Sequence, residues 1–171
     1  MNITRLDSSH ANAYRALMLE AFELHPEAFI SSFAERAALP LSSWEARLKP
    51  GPQPSDLVLG AFRDGQLAGV VGLHFDSREK ARHKAMLVGM YVPSRFRRSG
   101  LGRLLVQAAL GEARSRAGVK LVQLMVTHGN HAARALYESC GFVQYGLEPL
   151  AVAVGDGFVS KVHMWCDLTA G

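Results

Sequence analysis

Apolar residues recur along the chain with two different periods, and each change of period marks an element. "ITRL" (residues 3–6) reads as a short first strand. In "SSHANAYRALMLEAFELHP", Tyr14, Leu17, Met18, Ala21 and Phe22 stand at i, i+3, i+4, i+7 and i+8, the spacing of an amphipathic helix. Ser8 or Ser9 is its expected cap and Pro26 its stop. A second helix is expected in "LSSWEARLKP", where Ser42 and Glu45 have capping-box spacing and Pro50 with Gly51 ends the run.

"DLVLGAFRDGQLAGVVGLHF" reads as two strands joined by Asp64-Gly65, a type I′ hairpin signal. "KAMLVGMYV" is a further strand, closed by Pro93. From Gly100 the period changes again. Leu101, Leu104, Leu105, Ala108 and Ala109 predict a helical stripe lasting to Gly118. "VKLVQLMV" is nearly all apolar, as a strand buried on both faces by parallel pairing would be. Asn130 opens a short helix ending at Gly141, and "AVAVGDGFVSKVHMWCDL" closes the chain as a hairpin around Asp156-Gly157. The order β-α-α-β-β-β-α-β-α-β-β predicts an α/β class fold, a mixed sheet with helices against it, in a single domain over 1–171.

Composition adds limits rather than direction. With 171 residues, 49% hydrophobic and 20% charged, the chain can bury a core and is not a disordered tail. Its apolar runs are too short for a membrane-spanning helix, and "MNITRLDSSH" has no apolar leader. Cys140 and Cys166 are too few for a disulfide framework or a cysteine zinc site. A reduced, cytoplasmic protein with no membrane partner is the expectation.

Charge changes the picture more. Arg78, Lys80, Arg82, Lys84, Arg95, Arg97, Arg98 and Arg103 are opposed within their segment only by Glu79, although the whole chain carries a net charge of just +4. A basic segment on a mildly acidic background points to an anionic partner. Nucleic acid, a membrane surface, a phosphorylated cofactor or plain solvation would each account for it. Binding of nucleic acid through residues 78–103 calls for aromatics among the basic residues or a charged recognition helix. Phe96 stands as a lone aromatic and the helix that follows is leucine-faced, so no nucleic-acid partner is expected.

The stretch "RFRRSGLGRLL" (95–105) lies between a strand and a helix. First-turn amides of a helix have no backbone partners, the helix dipole adds partial positive charge there, and glycine allows an anion to approach. Arginine adds bidentate donors. These are the parts of a phosphate cradle, although an ordinary strand–helix turn with solvated arginines would have the same composition. A P-loop is excluded because Leu101-Gly102-Arg103 lacks Gly-Lys-Ser/Thr. A dinucleotide fingerprint is excluded because Leu105 stands where a third glycine is needed.

What remains, Arg97-x-x-Gly100-x-Gly102 after a strand, resembles the pyrophosphate-binding signature of the GNAT-type N-acetyltransferases. "NHAARALYESCGF" (130–142) is similar to a second signature of that family, Asn-x-x-Ala-x-x-Leu-Tyr-x-x-x-Gly-Phe. The order of elements matches the family's fold over nearly the whole chain, the first part only in outline.

The resemblance implies acetyl-CoA as co-substrate, no metal, and direct transfer of the acetyl group to a primary amine in a ternary complex. It implies that acetyl-CoA lies where the strands "GMYV" and "KLVQLMV" splay apart. Met90, Tyr91 and Val92 would then meet the pantetheine arm, and the Met90 amide would polarise the thioester carbonyl and stabilise the oxyanion of the tetrahedral intermediate. The loop from Arg97 and Arg98 through Ser99, Gly100, Leu101 and Gly102 to Arg103 would hold the pyrophosphate. Asn130 and Ala133 would border the pantetheine, and Tyr137 would protonate the departing thiolate. Asn130 also suits a plain helix N-cap, and Tyr137 plain packing.

Direct attack needs no covalent nucleophile, which sets Cys140 aside. Family members often carry a glutamate on the strand before the phosphate loop, and "KAMLVGMYV" has no acid. The general base is therefore open among Glu148, His74, His128 and water. The acceptor, a small-molecule or peptide amine, is open as well, and so is oligomeric state, a homodimer being common in the family. A non-catalytic CoA-binding regulatory module on the same fold is the alternative reading.

Overall fold

The computed structural model describes residues 1–170. Strand β1 (Asn2–Arg5) leads through a 3-10 turn at Ser8–His10 into helix α1 (Ala11–Leu24). The predicted stripe is the buried one: Tyr14, Leu17, Met18, Ala21 and Phe22 all face the core. The cap differs. Asp7, not Ser8 or Ser9, accepts from Ser9 N and forms a capping box with His10, because the chain makes a tight turn before α1 begins.

A 3-10 turn at Pro26–Ala28 follows, then two short helices, α2 (Phe33–Ala37) and α3 (Leu41–Arg47). Helix α2 is the element the sequence reading lacks. The capping box expected at Ser42 and Glu45 stands instead at Ser32 and Glu35, at the start of α2. Helix α3 begins directly after Pro40 with no side-chain cap, so Ser42 already lies inside its first turn.

Strands β2 (Asp56–Arg63) and β3 (Gln66–Phe75) form the predicted hairpin, and Asp64 and Gly65 both take the positive φ that a type I′ turn demands. Strand β4 (Lys84–Tyr91) adds antiparallel to β3. After the Ser94–Phe96 turn comes α4 (Leu101–Ser115), then β5 (Leu121–Thr127), α5 (His131–Ser139), β6 (Val143–Val154) and β7 (Gly157–Asp167). Among the described residues the strands form one seven-stranded mixed sheet in the order β1-β2-β3-β4-β5-β7-β6. The last turn is one step earlier than expected: Gly155 carries the positive φ and Gly157 already belongs to β7.

Helix α1 covers one sheet face over β3 and β4, with α2 and α3 packed on α1; α4 covers the other face. On α4 the buried arc runs through Leu101, Leu105, Val106, Ala109, Leu110 and Ala113, while Leu104, expected inside, lies on the exposed flank. The arc follows the i+4 rows from Leu101, the residue seated first against the sheet. No helix among the described residues is long and apolar enough to cross a membrane.

The feature that positions the site is a broken pairing. Parallel strands β4 and β5 pair only at Lys84–Leu121, Ala85–Val122 and Met86–Gln123. Beyond that point they part. Opposite β3, Val88 pairs with Gly72 and Tyr91 with Val70, so β4 holds one extra residue there, with Gly89 at φ +55. A glycine in the left-handed region is the usual way to build such a bulge. Strand β5 is accordingly not buried on both faces. Val122, Leu124 and Val126 are buried under α4 and α5, whereas Met125 is exposed on the opposite face.

Candidate active site

Above the parting of β4 and β5 opens a cleft of about 960 Å3, continuous in its lining with a smaller cavity of about 140 Å3 between the two strands. Both are lined by Met90, Asn130, Ala133 and Tyr137. The larger one also meets Tyr91, Val92 and the loop from Arg97 to Arg103, apart from Ser99, whose hydroxyl instead donates to Phe96 O at 2.7 Å.

The loop ends at Gly100, which caps α4 with φ +78 and offers no side-chain acceptor to the helix. Leu104 N donates to Gly100 O, so the amides of Leu101, Gly102 and Arg103 belong to the open first turn. These donors stand at the positive end of a 15-residue helix, beside a cleft. The two glycines do different work. Around Gly100 a Cβ would meet nothing within 4 Å, but its backbone needs the left-handed region, as does Arg98 at φ 59. A Cβ on Gly102 would come within 3.1 Å of Leu136 and 3.4 Å of Met90, so that glycine lets α4 approach α5 and β4.

The basic segment is split by the fold. Arg78, Lys80 and Arg82 lie in the loop before β4, and Lys84 begins that strand; the arginines from 95 onward follow its other end. Eight residues of strand separate the groups by about 26 Å. Arg78 is paired with Asp76 at 2.6 Å, and this contact holds the Asp76 carboxyl well below the usual range. At the cleft end, Arg95 turns away to Glu20 at 3.0 Å, leaving Arg97, Arg98 and Arg103 in the lining. The Arg97 Nε donates to Val92 O at 2.9 Å, and its Nη2 lies 3.3 Å from His25 Nε2.

Asn130 is the N-cap of α5: its Oδ1 accepts from Ala133 N at 3.2 Å. Cap and cleft lining coincide, since its amide nitrogen is not used in that bond. Two residues before the helix ends, Tyr137 is buried, with its hydroxyl donating to Met90 Sδ at 3.6 Å and its ring edge-on to Phe142. Burial pushes the Tyr137 phenol up to about 12, with a smaller contribution from Cys140.

The wall facing α5 is built from the Pro26–Ala28 turn. Lys161 on β7 is only 5% exposed, and its Nζ donates to Glu27 O (3.3 Å), Ala28 O (3.2 Å) and Thr127 Oγ1 (2.9 Å). Thr127 in turn donates to Glu27 O at 2.8 Å. Burial lowers the Lys161 ammonium's value, against the opposing pull of Glu27 and Glu148. Phe29, next to the turn, packs edge-on to Phe22 of α1 and lines both cavities.

Of the candidate bases, His128 lines the cleft, His74 is paired with Asp56 at 3.0 Å away from either cavity, and Glu148 is 2.8 Å from His163. Sequence reasoning missed His25 and the Glu20–Tyr91 hydrogen bond (2.9 Å) that ties α1 to the end of β4. Both contacts join residues far apart in the chain, and no local pattern marks them. It also missed Lys161 and His163, which the alternation along β7 places on one face.

The family model described as acetyltransferase (GNAT) family matches residues 15–142. A GNAT-family acetyltransferase of Streptococcus pneumoniae is 26% identical, with a TM-score of 0.85 over 97% of this chain and 98% of that one. A ribosomal-protein-alanine N-acetyltransferase of Brucella melitensis is 25% identical, with a TM-score of 0.79 over 98% and 99%. The yncA protein of Salmonella typhimurium, solved with its cofactor acetyl-CoA, is 22% identical with a TM-score of 0.81 over 100% and 95%, a likeness of fold.

Proposed function

The chain belongs to the GNAT acetyltransferase family, and from that premise we propose that it binds acetyl-CoA and transfers the acetyl group directly to a primary amine. One observation carries this reading. An uncapped helix N-terminus flanked by Arg97, Arg98 and Arg103 opens on the same cleft that descends into the gap between β4 and β5. A diphosphate end and a thin, uncharged arm suit those two places in turn. The structure of the Salmonella protein with its cofactor acetyl-CoA supports the choice of donor.

In this reading residues 1–171 act as one domain. The amides of Gly100, Leu101, Gly102 and Arg103 hold the pyrophosphate, with the arginines neutralising its charge. Acetyl-CoA supplies an activated acyl thioester. The main chain of Met90, Tyr91 and Val92 borders the arm, and the Met90 amide donates to the thioester oxygen as negative charge builds there, a kind of contact worth about 3–4 kcal/mol. Asn130 keeps its cap and offers its free amide nitrogen to the arm. Tyr137 donates to the sulfur. A phenol held near 12 is a weak acid towards a thiol in water. The same burial raises a thiolate's own value, which narrows the difference within the buried site.

The experiment is a thiol-release assay with acetyl-CoA, using as acceptors an alanine-terminated hexapeptide, a polyamine and free amino acids. Release that depends on one of these amines and yields its N-acetyl product supports the reading. Tight acetyl-CoA binding with no product from any amine would instead favour a regulatory CoA-binding module.

A further inference from the structure

The β6–β7 hairpin contains a histidine–carboxylate pair, His163 with Glu148. Along β7, Val162, Met164 and Cys166 are buried in the core shared with α4 and α5. Lys161, His163 and Trp165 therefore point to the other sheet face. Across to β5, Lys161 pairs with Thr127 and His163 with Met125. Thr127 and Met125 both line the small cavity where β4 and β5 part. His163 is thus the next side chain out from that cavity, on the face opposite α4 and α5.

Its Nε2 lies 2.8 Å from Glu148 Oε2. An ionised carboxylate only accepts, so Nε2 carries the hydrogen, and in the neutral imidazole Nδ1 then keeps a bare lone pair. Tyr145 stands edge-on to the imidazole at 5.9 Å and, with Met125, leaves an apolar shelf exposed beside it. The charged and titratable groups around His163 are Glu148 and Tyr145 from β6, Lys161 from β7, and Glu27 from the turn packed on β6. The two histidines singled out from the sequence are placed less well. His163 lines neither cavity itself but is the strand partner of Met125, which does; His74 uses its Nδ1 on Asp56, and His128 lines the phosphate-side cleft rather than the small cavity.

Resting on the acetyl-transfer reading, we propose that the acceptor amine is seated over Met125 in front of the small cavity, where His163 Nδ1 accepts its proton. Glu148 is a positioning residue: it fixes the tautomer and steadies the imidazolium. An ammonium loses two protons as the C–N bond forms and the C–S bond breaks. His163 takes the first and passes it to water. The second balances the proton that Tyr137 gives to the sulfur, so the phenol ends as it began.

The test is NMR of the full chain carrying nitrogen-labelled histidine, with acetyl-CoA added and His163→Gln supplying the assignment. The proposal expects hydrogen on Nε2, a bare Nδ1, a shift of the His163 signals when acetyl-CoA binds, and a second tautomer in Glu148→Gln. Turnover of the alanine-terminated hexapeptide in His163→Gln is expected to fall by on the order of a hundredfold with acetyl-CoA affinity within about twofold of wild type. Hydrogen on Nδ1, signals indifferent to bound acetyl-CoA, or full turnover in His163→Gln would each overturn it. Failure of the wild type to bind acetyl-CoA at all is a different result, and removes the acetyl-transfer reading itself.

Discussion

Tyr137 carries two opposed properties at once. Its burial keeps the phenol protonated to about pH 12, above its ordinary value of 10, so the proton is always present and given up reluctantly. Tyr137→Phe is expected to bind acetyl-CoA with affinity close to wild type while turnover falls by on the order of a hundredfold. Equal turnover in the variant at pH 7, 8 and 9 would take the hydroxyl out of the chemistry. The sign of the pH effect on folding follows from the same shift. A phenol whose folded value lies above its unfolded one supports the native state below pH 10 and loses that support between about pH 10 and 12. Denaturant melts of Tyr137→Phe should therefore lack part of the wild type's alkaline loss. Tyr137 and Asn130 were legible in the sequence because one short motif holds both. Lys161 was not, since its three acceptors come from residues 27, 28 and 127. Lys161→Met leaves two carbonyls of the Pro26–Ala28 turn without that donor. Hydrogen exchange at the Ala28 amide should quicken by roughly tenfold, in keeping with ~1–3 kcal/mol for an unmet buried group; an unchanged rate would show that the turn holds itself.

At the level of elements, periodicity was a good guide wherever one face of a helix or strand meets the core. The buried stripe of helix α1 is the predicted one, and the β2–β3 hairpin turns at Asp64-Gly65 as read, with a one-residue register shift at Ala61/Phe62 that no local pattern marks. Helix α2 escaped because five residues span little more than one turn, too short for a period to register. Its capping box, Ser32-x-x-Glu35, was nevertheless present to be read. Parting of β4 from β5 has no local signal beyond Gly89, for pairing is a property of two strands and not of either. The loop into α4 gives the sharpest prediction at this scale, because its glycines have separate duties. Gly100→Ala adds a methyl group in open space but strains the backbone by about 1–2 kcal/mol. Gly102→Leu drives a side chain into Leu136 and Met90, which costs about 1–3 kcal/mol and shifts α4 against α5. Thermal melts should rank Gly102→Leu as the less stable of the two. The opposite order would mean that helix approach is not what Gly102 provides.

Across the whole molecule, the fold divides what the sequence presents as one basic stretch. Two groups about 26 Å apart lie well beyond a Debye length of about 10 Å at ordinary salt, so they act separately. Reversing Arg78, Lys80 and Arg82 to glutamate should leave acetyl-CoA affinity within about twofold of wild type. Reversing Arg97, Arg98 and Arg103 should abolish measurable binding while the chain stays folded by circular dichroism. Equal effects from the two triple variants would argue for a diffuse field rather than a cradle. The central claim is that the cleft at the start of α4 is an acetyl-CoA site, and a calorimetric titration of the full chain with acetyl-CoA tests it most directly. The account predicts saturable one-to-one binding that weakens as salt rises. Absence of saturable heat from the correctly folded wild-type chain would contradict it.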